Sequence, residues 1–275
     1  MKKLESYVIE DFGLEWKKFN QEKINKIELQ SMFKDYFFIF PFNIIGKNSE
    51  GFDMGSGSGR WAQFVLPKVK KLNCIEPSKE AIKVSKKNLK NFKNCIFINN
   101  GIFDNTIKNN SQDFGYCLGV LHHLSNTFLG LKKCVEKLKK NSPFLIYVYY
   151  KFDNRPIWFK LIWKLSDIFR KFISLSPFFF KSFIAEIIAM IVYFPLARIS
   201  AILFKMNVDI KNFPLSYYMD KPYYTMRTDC LDRFGTKLEQ RFTKKEIKKM
   251  MMNAGLKNIK FSNRKPYWTA IGYKR

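Results

Sequence analysis

Cysteine, histidine and acidic residues are all scarce in this chain. The five cysteines, at 74, 95, 117, 134 and 230, are odd in number, and the closest pair (Cys117 and Cys134) is 17 positions apart. That spacing excludes CxxC zinc and thioredoxin signatures, and it argues for reduced, buried thiols in a cytosolic setting. The only histidines are His122 and His123, and no metal site is expected. The opening Met1-Lys-Lys-Leu-Glu-Ser-Tyr7 lacks the long apolar core of a signal peptide, so a cytoplasmic location is expected. Internal repeats and low-complexity linkers are absent as well.

The shortage of acid gives 23 Asp+Glu against 49 Lys+Arg, a formal charge of +26. Such a balance invites a nucleic-acid or anionic-membrane partner. The lysines are scattered, however, and joint abundance of Lys, Asn, Ile and Phe is what an AT-rich coding sequence produces. Most of the charge therefore reads as solvated surface. What the chain does have is apolar mass: 275 residues, 47% hydrophobic and 17% aromatic, enough to bury one large α/β core with an appended element.

Phe12, Trp16 and Phe19 recur at near-helical spacing, which predicts a helical cap over residues 1–46. From Gly51 strands alternate with helices, the sign of a parallel sheet covered on both faces. Strands are expected to end at Asp53 and to run over Leu72 to Glu76, Cys95 to Ile98, Tyr116 to Val120 and Phe144 to Tyr150. Helices are expected from about Arg60, after Pro77-Ser78, and over Leu131 to Leu138. Late in the chain Thr243 reads as an N-cap and Gly255 as a helix stop, followed by two closing strands with an antiparallel last pair.

Between the first strand and its helix lies Phe52-Asp-Met-Gly-Ser-Gly-Ser-Gly-Arg-Trp61, with Gly55, Gly57 and Gly59 at alternate positions. Glycine tolerates positive φ and has no Cβ to collide with a ligand, so this is a bend suited to a nucleotide-like molecule. A dinucleotide site of the GxGxxG type needs a third glycine where this chain has Arg60. The pattern is instead D-x-G-x-G-x-G, and a second acid, Glu76, closes the next strand.

The DMGSGSG segment resembles motif I of the class I S-adenosylmethionine-dependent methyltransferases of the type 11-like group. Asp113-Phe-Gly-Tyr-Cys-Leu-Gly-Val-Leu-His-His-Leu124 is similar to the same family's fourth-strand segment. The resemblance runs from about Gly51 to Tyr150 and resumes in the closing helix and hairpin. It implies a Rossmann-like, seven-stranded, mostly parallel sheet with an antiparallel last strand, in a stand-alone small-molecule enzyme. By the same resemblance Asp53, Gly55, Ser56, Gly57 and Gly59 hold the methionine end of S-adenosylmethionine, and Glu76, with Pro77 beside it, binds the ribose. Ile102 and Phe103 are expected at the adenine, and Gly119 permits close approach beside the methionine. The family's acid after the third strand is displaced here to Asp104 or missing. His122 and His123 stand at the carboxyl end of the fourth strand, where one of them is suited to take a proton from a substrate hydroxyl.

The core is expected over residues 47–150 and 236–275, interrupted by a helical insertion over 151–235. From Phe172 to Phe204 the insertion's only charges are Lys181, Glu186 and Arg198. Three readings stand for residues 155–206: a membrane span, an interfacial helical hairpin with a basic rim for anionic lipid, and an apolar lid over the acceptor pocket. Asn154 and Arg155 leave the fifth strand at its catalytic edge, and Tyr223, Tyr224 and Arg233 belong to a polar-aromatic series; together they could bind a hydroxylated acceptor, such as a saccharide or a lipid-linked intermediate. Nucleic acid is not the expected partner, because NPPY-type and Pro-Cys segments and a compact basic stripe are lacking.

Overall fold

The computed structural model describes residues 2–22, 24–104 and 106–275, so Met1 of the opening segment lies outside it. The chain divides into two compact units. One comprises Met1–Gln21, Leu29–Lys151 and Leu238–Arg275; the other comprises Glu22–Glu28 and Phe152–Lys237.

The first unit is built on a seven-stranded sheet in the order β3-β2-β1-β4-β5-β7-β6. Its strands are β1 (Glu50–Met54), β2 (Lys71–Ile75), β3 (Cys95–Ile98), β4 (Phe114–Leu118), β5 (Pro143–Tyr147), β6 (Leu256–Phe261) and β7 (Thr269–Lys274). The first five pair in parallel, while β7 runs antiparallel to both β5 and β6. This is the mostly parallel sheet with a reversed last strand that the sequence implies. Phe52, Ile75, Cys117, Phe144, Met251 and Ala270 are buried in one core beneath it.

Helices α1 (Lys2–Lys18), α2 (Lys26–Tyr36), α3 (Ala62–Val65), α4 (Lys79–Asn88) and α5 (Thr127–Lys137) precede the insertion. The helix expected from Arg60 is the single turn α3, running into a 3-10 turn over Leu66–Lys68. Pro67 is the reason: it has no N–H to continue an α-helical ladder. The fourth strand starts two residues earlier than expected, and its end leaves Gly119 and Val120 in the loop that carries the histidines. Ser78 caps α4 by accepting from the Ala81 N–H at 3.4 Å. All five cysteines are buried and unbridged.

The second unit is helical, with α6 (Ile157–Leu175), α7 (Phe178–Ile188), α8 (Phe194–Lys205) and α9 (Tyr223–Gly235). A π-helical turn, Ala189–Tyr193, joins α7 to α8, so that Phe178–Lys205 is one continuous helix of 28 residues. Pro195 accounts for the turn, since its missing N–H and its ring disturb the hydrogen bonds of the preceding residues. Polar bonds tie α9 to its neighbours. Arg227 grips Glu186 with two bonds of 2.6 and 2.8 Å, and Lys181 Nζ donates to the Gly235 carbonyl at 3.1 Å.

Back in the first unit, α10 (Lys244–Asn253) begins with a reciprocal cap. The Thr243 hydroxyl accepts from the Glu246 N–H, and the Glu246 carboxylate accepts from the Thr243 N–H at 2.7 Å. Gly255, at φ +94°, ends it.

Candidate active site

The glycine turn leaves β1 with Gly55, Gly57 and Gly59 at φ of +81°, +53° and +77°, values that strain any other residue. Gly55 and Ser56 both donate their N–H to the Ile75 carbonyl, at 2.8 and 3.0 Å, which lashes the turn to the end of β2. A side chain at Gly59 would strike Ser85 of α4 and Leu89, its C-cap, so this glycine serves helix packing. Gly57 instead faces the Trp16 indole, 2.9 Å from where its Cβ would stand. Helix α1 therefore roofs the turn, and the Arg60 guanidinium stacks over both Trp16 and Trp61.

Two buried acids meet below this roof. Glu76 accepts the Gly57 N–H at 3.0 Å on one oxygen and the Ser78 N–H at 2.9 Å on the other. Asn99 clamps the same strand end by donating to the carbonyls of Glu76 and Pro77, both at 2.9 Å. Asp53, 2% exposed, pairs in register with Tyr116, and its Oδ2 is buried with no hydrogen-bond partner. The Ser56 hydroxyl is orphaned in the same way. Burial pushes Asp53 up to about 8, with the Tyr116 hydroxyl offsetting part of the rise. Burial likewise pushes Glu76 up to about 7 against the stabilising N–H groups of Ser78 and Gly57.

A carboxyl group raised in the folded state stabilises the fold where it is protonated in both states. That contribution is lost as pH climbs from the unfolded value through the folded one. The ligand-free protein is therefore expected to lose several degrees of melting temperature between about pH 4 and about pH 8. Asp53→Asn should flatten the slope; a slope unchanged in that variant would count against the buried-acid account.

His122 and His123 fall in a 3-10 turn, Leu121–His123, just past β4. The two differ sharply. His122 is completely buried between Tyr149, stacked at 3.9 Å, and the His123 ring at 4.0 Å, and neither of its ring nitrogens has a partner. Burial, then the charges of His123 and Arg241, hold its pKa well below the usual histidine value, so it is neutral. His123 has its Nδ1 2.7 Å from the Leu238 carbonyl. A carbonyl only accepts, so Nδ1 carries the proton and the lone pair of the neutral ring lies on Nε2. The returning segment fixes this turn, with Gln240 N–H donating to the His122 carbonyl at 3.0 Å. From α1, Glu5 accepts the Ser125 N–H and Phe12 packs on the His123 ring at 4.9 Å.

Gly119, at φ +79°, is the opening in this arrangement: a Cβ there would meet nothing within 4 Å. Val120 next to it packs on Gly55 and joins the histidine loop to the glycine turn. Pro77 borders a cavity of about 300 Å³ between α1 and the start of α4. Ile102 is buried against the core, whereas Phe103 is 40% exposed. Asp104 is exposed, and Asn99 holds the end of β2 in its place. Sequence reading missed Trp16, Tyr116 and Asn99. Only Asn99 had a local signal, as a polar residue directly after a strand.

The residues expected to bind acceptor all lie in the helical unit, and they do not converge. Tyr223 opens α9 and Arg233 sits in its last turn, about 15 Å away at 1.5 Å per residue. Arg233 lies 3.5 Å from Asp167 and stacks over Trp163, and Tyr223 packs on Phe194. Arg155 donates to the Lys211 carbonyl and to Asn212, Asn154 is exposed, and the Tyr224 carbonyl accepts from Thr228. These contacts of Arg155, Tyr223, Tyr224 and Arg233 lie within the helical unit rather than around one pocket.

The strand order with β7 reversed, the glycine turn after β1 and the acid ending β2 define a Rossmann-like core of the class I methyltransferase type. Residues 52–146 match the family described as a methyltransferase domain. No curated protein matches the sequence. Among solved structures, a SAM-dependent methyltransferase from Thermotoga maritima is 12% identical with a TM-score of 0.51, over 96% of this chain and 100% of that one. A Haloferax volcanii chain, from a complex between the Trm112 methyltransferase activator and a methyltransferase, is 10% identical with a TM-score of 0.54 over 95% and 96%. At these identities the likeness is one of fold.

Proposed function

We propose that this protein transfers the methyl group of S-adenosylmethionine to an oxygen of a small-molecule acceptor, of the saccharide or lipid-linked kind. The observation that carries the reading is a buried, partnerless Asp53 oxygen at the end of β1, beside the glycine turn, together with the open space at Gly119 just past β4. A buried acid with an unpartnered oxygen and a glycine with open space beside it suit a cationic, hydroxylated ligand. Asp53, Gly55, Ser56, Gly57 and Gly119 would hold its methionine end, Glu76 and Pro77 the ribose, and Ile102 and Phe103 the adenine. When bound, the cofactor supplies an already activated methyl group.

What this chain adds is position and a proton acceptor. Alignment and exclusion of water account for much of the acceleration in such a displacement. His123, its tautomer fixed by the Leu238 carbonyl, receives the acceptor's hydroxyl proton at Nε2. His122 is the packed spacer that keeps that ring in place.

The test has two arms. Calorimetry should show binding of S-adenosylmethionine and none of NAD; the reverse result overturns the assignment. Incubation with methyl-labelled cofactor and metabolite or lipid extracts should yield a labelled product identifiable by mass. Label appearing only in added RNA or DNA would refute the small-molecule acceptor.

A further inference from the structure

The helical unit is built inside out. Along α6 the polar residues Ser166, Asp167, Arg170 and Ser174 turn inward, with Arg170 5% exposed and donating to Asp167 and the Thr236 carbonyl. On the opposite side Leu161, Leu165, Ile168, Phe169 and Phe172 are exposed, Phe172 at 71%. At 100° per residue these span an apolar arc of about 100°, and Lys160, Lys164 and Lys171 line one border of it.

The 28-residue helix behaves alike. Its charges before the terminal Lys205 turn toward the unit's own interior: Lys181, 1% exposed, bonds to Gly235, Glu186 pairs with Arg227, and Arg198 donates to the Met219 carbonyl. Small residues, Ala185, Ala189, Ala197 and Ser200, fill the buried face, whereas Phe179, Phe180, Phe183 and Ile191 are exposed. Only 22% of its most apolar stretch is buried. In water this arrangement is unfavourable, because each exposed large apolar side chain forgoes about 1.5 to 3 kcal/mol of burial.

We propose that α6 and the Phe178–Lys205 helix form a monotopic membrane-binding surface that lies in the headgroup boundary of an anionic bilayer. Small and polar groups inward with large apolar groups outward is the arrangement that lipid, rather than water, selects. The lysine border supplies the charge complementarity to anionic headgroups. A full span is the poorer fit, because the polar helix α9, with Arg227, Asp229 and Asp232, covers the inner side of the same helices. An interfacial helix keeps one face in lipid and the other against such a polar layer. The proposal is independent of the methyltransferase reading.

Flotation of the full-length protein with phosphatidylglycerol-containing vesicles tests it. Wild type should float, and Phe169→Ser, Phe172→Ser, Phe180→Ser and Phe183→Ser combined should lower the bound fraction at least about tenfold without lowering the melting temperature. Lys160→Gln with Lys164→Gln should weaken binding to anionic vesicles severalfold and leave binding to pure phosphatidylcholine unchanged. Wild type remaining soluble, or the four-Phe variant floating equally well, overturns the proposal. So does a lipid-free dimer that the four-Phe variant converts to monomer without any flotation, which would assign the face to a second copy of the chain.

Discussion

Glu76→Ala is expected to weaken S-adenosylmethionine binding by a factor on the order of 100 or more. Bonds from hydroxyls to a carboxylate contribute about 1.5 to 3 kcal/mol each, and a ribose offers two of them. The same carboxylate receives the N–H groups of Gly57 and Ser78, so its removal also unties the glycine turn from the start of α4. Glu76→Gln isolates the two effects. An amide keeps one acceptor oxygen but turns an N–H toward a backbone N–H, so it too should bind the cofactor poorly while retaining most of the bulk. Calorimetry on both variants, with melting curves to verify folding, decides the matter. Unchanged affinity in Glu76→Ala would end the ribose assignment.

His123→Ala is expected to lower kcat by about 10² to 10⁴ while leaving cofactor affinity within about twofold. A general base acts on the acceptor's proton and contributes little to holding the methyl donor, so kcat and cofactor binding should separate. His122→Phe supplies the contrast. His122 is fully buried, neutral and stacked between Tyr149 and His123, so a phenyl ring of similar shape should preserve the column and cost little. Loss of activity in His122→Phe with none in His123→Ala would exchange the two roles.

Much of the core could be read from the chain because its signals are local. The bend needs glycine at particular φ values, the strand ends are marked by Asp53 and Glu76, and Thr243 with Glu246 announces its own cap. Pairings across the sheet leave no such mark. Tyr116 faces Asp53 only because β4 lies beside β1 in that register, and Trp16 reaches Gly57 only once α1 has packed on the core. The insertion shows the limit most clearly. Its sequence reveals that apolar residues dominate, but which face of α6 meets protein is settled by the polar bonds of Arg170 and Asp167. The polar-aromatic series shows the opposite case: residues adjacent in type are spread along the length of α9, Tyr223 at its start and Arg233 in its last turn.

The seam at which the insertion departs has its own significance. Lys151 donates its N–H to the Phe242 carbonyl at 3.0 Å, and the Phe242 N–H donates to the Tyr149 carbonyl at 2.9 Å. The outgoing and returning strands of chain are thus stapled side by side, whatever is strung between them. Doubling the length of such an excursion costs only about 0.6 kcal/mol of closure entropy. The sheet can therefore accept a different excursion at this point without being rebuilt, so the chain strung through the seam is free to vary while the glycine turn and the strand ends stay fixed.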